Sequence, residues 1–186
     1  EAEHTRERLF RLAVNRHVVD KSQDYVTLNS RFENVTLTLT QIGKAIKAGH
    51  ALCACQFKTN NGRITRNNDN WEKSEIVLLD LDYSELVDGV KTRAGNYRSI
   101  AQFLESELAS KAALLYTTVS STDTWERYRV LIELPRFITN ATAYKTILQK
   151  FITLFGADQA RSDLSGIHSG NRAATIYNLT TGEVTL

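Results

Sequence analysis

Sulfur is scarce in this chain: its 186 residues hold no methionine and only two cysteines. Cys53 and Cys55 occupy alternate positions of an apparent strand, where side chains point the same way along an extended backbone and cannot easily bridge. That argues against a disulfide framework and suits a reduced, cytoplasmic setting. Zinc also finds too few ligands, because a tetrahedral site wants four and His50 is the only further candidate nearby. With no methionine and a first residue of Glu1, the chain reads as a domain excised from something longer.

Charge of one sign is lacking too: Lys+Arg 23 against Asp+Glu 21 leaves a net charge of +2. Any attraction to nucleic acid must come from local basic patches. No apolar run approaches the roughly 20 residues that a helical bilayer crossing needs, and the segment Glu1 to Arg8 is too charged for a signal peptide. A soluble cytoplasmic protein is therefore expected. What the sequence does have is 42% hydrophobic residues, enough for a real core in one compact domain over 1–186. The Asn-x-Thr triplets at Asn34, Asn140 and Asn178 have glycosylation spacing, which carries no chemistry without secretion.

Periodicity predicts an N-terminal helix within 1–20, from Arg6 to about Val19, on Leu9, Leu12, Ala13 and Val14. A second helix runs from a Thr40 cap through Ala48, ended by Gly49. Strand-like residues follow at 51–57, then a polar loop or hairpin around Asn61-Gly62. Residues 75–82 form the clearest strand. A helix over 97–110 would bury Tyr97, Ala101, Leu104 and Leu108, and a strand over 112–118 comes next. From Tyr128 to Leu134 alternation points Tyr128, Val130, Ile132 and Leu134 inward and Arg127, Arg129 and Glu133 the other way, with Pro135 closing the strand. A helix over 140–155 and a strand over 173–177 finish the chain. This order predicts an α+β fold: one mixed or antiparallel sheet with helices on a face.

Three stretches carry chemistry. In Ile76-Val77-Leu78-Leu79-Asp80-Leu81-Asp82 a buried strand ends in two carboxylates on one face, about 7 Å apart along the backbone. Two such charges repel unless a cation sits between them, and Mg2+ or Mn2+ would relieve that repulsion while holding a nucleotide's phosphates. The competing reading is a strand that simply ends in solvated acids. The second stretch, Tyr116 to Arg129, is a strand, a hydroxyl-rich turn containing Ser120, and a returning strand with two arginines, a combination suited to phosphate oxygens. Ordinary surface arginines would look the same. The third, Phe155 to Arg172, offers Asp158 as a third carboxylate, although an Asp there also serves as a turn or cap.

Together these stretches resemble the catalytic core of the archaeo-eukaryotic primase superfamily, in particular the primase-polymerase domains of plasmid and phage replication proteins. The resemblance covers roughly residues 40 to 178. It rests on Lys73-Ser74 leading into the Asp80-Leu81-Asp82 strand, on Leu115 to Ser120, on Arg127-Tyr128-Arg129-Val130, and on Ala157-Asp158 before Ser169-Gly170-Asn171. It implies an RRM-like sheet with flanking helices and DNA primase or polymerase activity. Asp80, Asp82 and Asp158 would bind two Mg2+ or Mn2+ ions, with Ser120, Arg127 and Arg129 near the triphosphate. The sequence departs from the family at Ser121, where His is frequent, so the nucleotide site would lean on its arginines, on Lys73 or on His168. Arg63, Arg66 and Trp71 become contacts to a single-stranded DNA template. A helicase module often accompanies the resembling proteins.

Two rivals remain at this level. Asp80-Leu81-Asp82-Tyr83-Ser84 partly fits a haloacid dehalogenase-type phosphatase, with Thr117 or Thr118 as its second motif, but that family wants a parallel sheet and a small residue in place of Tyr83. The other rival is a catalytically weak module that binds single-stranded nucleic acid.

Overall fold

In the computed structural model, residues 7–21 and 24–186 are described. The strands are β1 (Leu9–Asn15), β2 (Phe32–Thr38), β3 (Ala51–Cys53), β4 (Gln56–Phe57), β5 (Trp71–Leu81), β6 (Ser84–Val87), β7 (Val90–Arg93), β8 (Leu114–Thr117), β9 (Tyr128–Ile138), β10 (Ile176–Asn178) and β11 (Glu183–Thr185). The α-helices are α1 (Tyr25–Ser30), α2 (Leu39–Lys47), α3 (Ile100–Glu105) and α4 (Ala141–Phe155). A main sheet of order β11-β10-β8-β9-β5-β4 lies with a smaller one of order β2-β1-β3, while β6 and β7 form a hairpin of their own. Every described strand pairing is antiparallel. The α+β expectation holds, without parallel pairs.

The continuous apolar run of β5 follows from burial on both faces. Val77, Leu79 and Leu81 join Val130 and Ile132 of β9 against Phe103, Tyr144, Leu148, Ile152 and Phe155. The alternate residues Ile76 and Leu78 join Leu114, Tyr116 and Leu131 against Phe10, Leu12 and Val14 of β1 and Ile42 and Ile46 of α2. Each fully buried aliphatic side chain contributes about 1.5–3 kcal/mol by leaving water. Asp80 and Asp82 continue the Ile76–Leu78 row, so the carboxylates stand where that second core gives way to a polar cavity.

Several local expectations are corrected. The N-terminal helix is a strand over the described residues: Phe10, Leu12 and Val14 alternate into the core at period two, and Leu9 is exposed. Arg6 and the residues before it lie outside the described residues. Helix α2 is capped by Thr38, not Thr40, in a capping box with Gln41. A second capping box, Ser99 with Gln102, starts α3 at Ile100 and turns Ile100 and Phe103 inward; the chain leaves the helix at Ser106, and Leu104 is exposed. Pro135 does not end β9. The pairing jumps from Ile76↔Glu133 to Ser74↔Ile138, and the extra β9 residues of that bulge include Pro135, which needs no ladder N–H there. The hairpin at Asn61-Gly62 is present, with φ of 49° and 74° and reciprocal 2.9 Å backbone bonds between Asn60 and Arg63. Both cysteines are buried and free.

Candidate active site

Register creates the site. Asp80 of β5 stands opposite Arg129 of β9, and Tyr116 of β8 stands opposite Arg129 on its other side, so the three form one row across the sheet. The pairing ends at Leu81↔Tyr128, and just beyond it Asp82 and Arg127 form an ion pair. The face predicted for Arg127 and Arg129 is correct, but it is buried against the second core instead of solvated, and Arg129 is 8% exposed.

Ion pairs knit these rows. Arg129 Nη2 lies 3.4 Å from Asp80 Oδ2, Arg161 Nε 3.8 Å from the same oxygen, and Arg127 Nε 3.5 Å from Asp82 Oδ1. These separations exceed the roughly 2.7–2.9 Å of a tight charge-assisted bond. Two guanidinium donors, Arg127 Nε and Arg129 Nε, are buried without a hydrogen-bond partner. Asp80 is thus loosely held, and Arg129 keeps a donor in reserve. Asp82 Oδ2 is bound more closely, by Lys91 Nζ at 2.6 Å and Ser84 Oγ at 2.7 Å. Burial raises the Asp82 pKa, but the hydrogen bonds from Lys91 and Ser84 and the charges of Lys91 and Arg127 outweigh it, and the net shift is downward. For Arg129, burial opposes the charge, yet Asp80 and Tyr116 together outweigh it and the pKa moves up.

Asp158 joins through the backbone. Helix α4 ends at Gly156 in the left-handed conformation, and Asp158 then donates its N–H to the Asp80 carbonyl at 2.9 Å. Its carboxylate caps the following turn by accepting the Ala160 N–H at 2.9 Å. Asp80, Asp82, Asp158, Ser120, Ser169, Lys21, Lys91, Arg129 and Arg161 all line one cavity of about 120 Å³. Ser120 lies in the turn after β8, inside the hairpin-like join closed by the Thr118 N–H to Arg127 carbonyl bond of 2.9 Å. Ser121 Oγ accepts the Arg127 N–H at 3.0 Å and so props the strand that carries both arginines.

Among the described residues, no three metal-ligating side chains converge on one point. The donor set nonetheless suits a hard divalent cation. Mg2+ is commonly held by one or two carboxylates with substrate phosphates completing its shell, and Asp80 and Asp82, which line one cavity, would offer it oxygen atoms.

Other expected residues lie elsewhere. Lys73 is at the far end of β5, seven positions from Asp80, with its ammonium 5.1 Å from the Phe137 ring centre. Trp71 is a core residue at 4% exposure, tilted against Tyr144 with ring centres 5.6 Å apart, so its face is not free to stack on a base. Arg66 is half-buried and ties its loop to Asn29 and the Ser165 carbonyl. Arg63 is exposed at the hairpin turn and lines a separate cavity of about 910 Å³ with His17 and Arg31.

His168 is buried and does not line the site cavity. Burial, and then the charges of Arg129 and Arg161, push its imidazole well below the ordinary 6.5. The unfolded chain therefore takes up a proton that the folded one refuses, so the contribution is full above pH 6.5 and is lost as pH falls below it. The expected result is a melting temperature that drops between about pH 7.5 and 5, with a smaller drop in His168→Gln. His50, also shifted downward by burial and Arg16, accounts for part of what remains. Thermal melts across that range check this.

Lys91, Arg161, Lys21 and Ser169 were not assigned roles from sequence. Asp88-Gly89, a hairpin-turn signature, was the available signal for Lys91. The carbonyl of Ser169 accepts Arg129 Nη1 at 2.7 Å, and the next residue, Gly170, packs so closely that a Cβ would lie 2.5 Å from the His50 carbonyl oxygen. Gly170→Ala is expected to cost about 1–3 kcal/mol, measured by denaturant unfolding.

No helix among the described residues is long and apolar enough to cross a membrane. No protein-family model matches the chain, and no curated protein does. Among solved structures, the chain is similar to the AEP domain (PP-N190) of the cyanophage S-2L primase-polymerase, PrimPol, at 11% identity and a TM-score of 0.47 over 94% of this chain and 82% of that one.

Proposed function

We propose that this domain performs template-directed nucleotidyl transfer, as a DNA primase or polymerase of a plasmid or other mobile element, at the Asp80–Asp82 cavity. The observation that carries the reading is the in-register pair of Asp80 with Arg129 and, just beyond the paired strands, the ion pair of Asp82 with Arg127, beside Asp158. A lone acid pair calls only for a cation. Acids interleaved with arginines that keep unspent donors suit a cation and a polyphosphate together.

In this reading a 3′-hydroxyl attacks the α-phosphate of a nucleoside triphosphate and pyrophosphate leaves. Asp80 and Asp82, with Asp158 alongside, would hold two Mg2+ or Mn2+ ions. When bound, such ions lower the pKa of the attacking hydroxyl and neutralise charge on the triphosphate and the leaving group. Arg129 and Arg161 turn from carboxylate to phosphate oxygens as these arrive, and Arg127, its guanidinium carbon 3.7 Å from the Trp125 ring centre, backs Asp82 from outside the cavity. The Ser120 hydroxyl, exposed in its turn, offers a neutral donor. Arg63 stays available for a single-stranded template. Antiparallel pairing on both sides of the Asp80 strand weighs against the phosphatase rival, whose acids sit on a parallel sheet.

The test is incorporation of labelled nucleotides on primed and unprimed single-stranded DNA with Mg2+ or Mn2+. Product is expected. Tight single-strand binding without product in high Mn2+ would favour the binding module, and phosphate release from simple phosphomonoesters without template would favour the phosphatase.

A further inference from the structure

The β6–β7 hairpin is an arm with little of its own to hold it. It forms a separate two-stranded sheet, and Leu86, Val87 and Val90 are exposed at 75%, 49% and 62%. An isolated two-stranded hairpin is marginally stable in water. Its root is fixed: Ala94 N–H donates to the Tyr83 carbonyl at 2.8 Å, Arg93 Nη1 to the Thr124 carbonyl at 2.6 Å, and the Arg93 guanidinium lies 4.6 Å from the Tyr97 ring centre. Tyr83, the joint between the Asp82 strand and the arm, has a φ of 46° in the left-handed region, a conformation costly for a bulky side chain. Its ring holds it there by packing against Tyr97 and Tyr128. Beyond this root, the ion pair from Lys91 to Asp82 ties the arm to the body. Lys91 stands opposite Leu86 in the hairpin, two residues short of Arg93.

We propose that this arm is a latch on the site: the Lys91 ammonium occupies on Asp82 the position a divalent cation would take, so that loading the cation releases the hairpin. The inference rests on the reading of Asp82 as a cation ligand. The geometry supplies the competition. Lys91 Nζ is 2.6 Å from Asp82 Oδ2, while the Lys91 side chain is 53% exposed and that of Asp82 14%. The lysine can therefore swing into solvent at little cost, whereas Asp82 cannot leave the cavity. Asp80 has no such partner on the arm; its two cations, Arg129 and Arg161, come from β9 and the segment after α4. Because linkage is reciprocal, whatever factor the Lys91 contact contributes to closing the arm is the factor by which it weakens the cation.

Mn2+ titration with hydrogen exchange on the full chain tests this. Lys91→Ala should tighten Mn2+ binding about two- to fivefold, the range of a partly exposed ion pair set against a cation. Lost charge alone would also tighten binding, so exchange across residues 84–93 is the second readout. In the unmodified chain saturating Mn2+ should speed exchange there, and in Lys91→Ala exchange should be fast before Mn2+ is added. Unchanged Mn2+ affinity in Lys91→Ala, or an arm whose exchange ignores Mn2+ in the unmodified chain, overturns the latch and leaves the site reading standing. Mn2+ binding that is indifferent to Asp82→Asn removes Asp82 as a ligand and overturns both.

Discussion

Replacing Arg129 with methionine is expected to destabilise the fold by about 3–5 kcal/mol, the usual consequence of taking one partner out of a buried ion pair. The side chains of Arg129 and Asp80 are 10% and 9% exposed, so the carboxylate left behind has little water to turn to. Arg161 remains 3.8 Å away on the exposed side, which places the loss toward the lower end of that range. Asp80→Asn strands the guanidinium instead and should also destabilise, through the bond that Arg129 can no longer balance while its Nη1 stays on the Ser169 carbonyl. The double variant should be less destabilised than the two losses added together, since neither charge is then left alone. Denaturant unfolding of the four proteins gives the coupling directly. Strict additivity would mean that the pair contributes nothing as a pair.

Asp82→Asn is expected to do the opposite: small change in stability, large change in turnover. Asp82 reaches the exposed Lys91 and keeps Ser84 as a donor that an amide oxygen can still accept, and its partner Arg127, 3.5 Å away, also rests on the Trp125 ring, so the loss is smaller than at Asp80. Loss of one negative ligand at the reacting centre should lower nucleotide incorporation by on the order of 10²–10³-fold, the range seen when one preorganised electrostatic contact is removed. Turnover close to that of the unmodified chain would take Asp82 out of the mechanism. Together the two variants separate the roles of neighbouring acids: Asp80 belongs to the core as well as to the site, and Asp82 mainly to the site.

The acid pair was legible in the sequence because it ends the four-residue apolar run Ile76–Leu79, and that run exists because β5 is buried on both faces. Arg127 and Arg129 were legible as a shared face by alternation, but nothing local said that this face was a second core. That depends on β1, whose Phe10-Leu12-Val14 alternation competes with a helical spacing of Leu9, Leu12 and Ala13 in the same short stretch. The pairing of Asp80 with Arg129 is a register between strands 49 residues apart, fixed only by the folded sheet. For Lys91, Asp88-Gly89 signalled the hairpin but not its partner, which is set by the way that hairpin folds back over the strand end. Trp71 and Lys73 show the converse. Trp71 was expected at a template and Lys73 at the nucleotide, yet β5 begins at Trp71 and carries both to the end of the strand away from Asp80.

The most direct measurement is a crystal soaked with Mn2+ and a non-hydrolysable nucleoside triphosphate, with the metal located by its anomalous scattering. Mn2+ is expected against the carboxylates of Asp80 and Asp82, with Asp158 alongside and the phosphates turned toward Arg129 and Arg161. Mn2+ and nucleotide bound away from Asp80 and Asp82, with both ion pairs undisturbed, would contradict the proposed site.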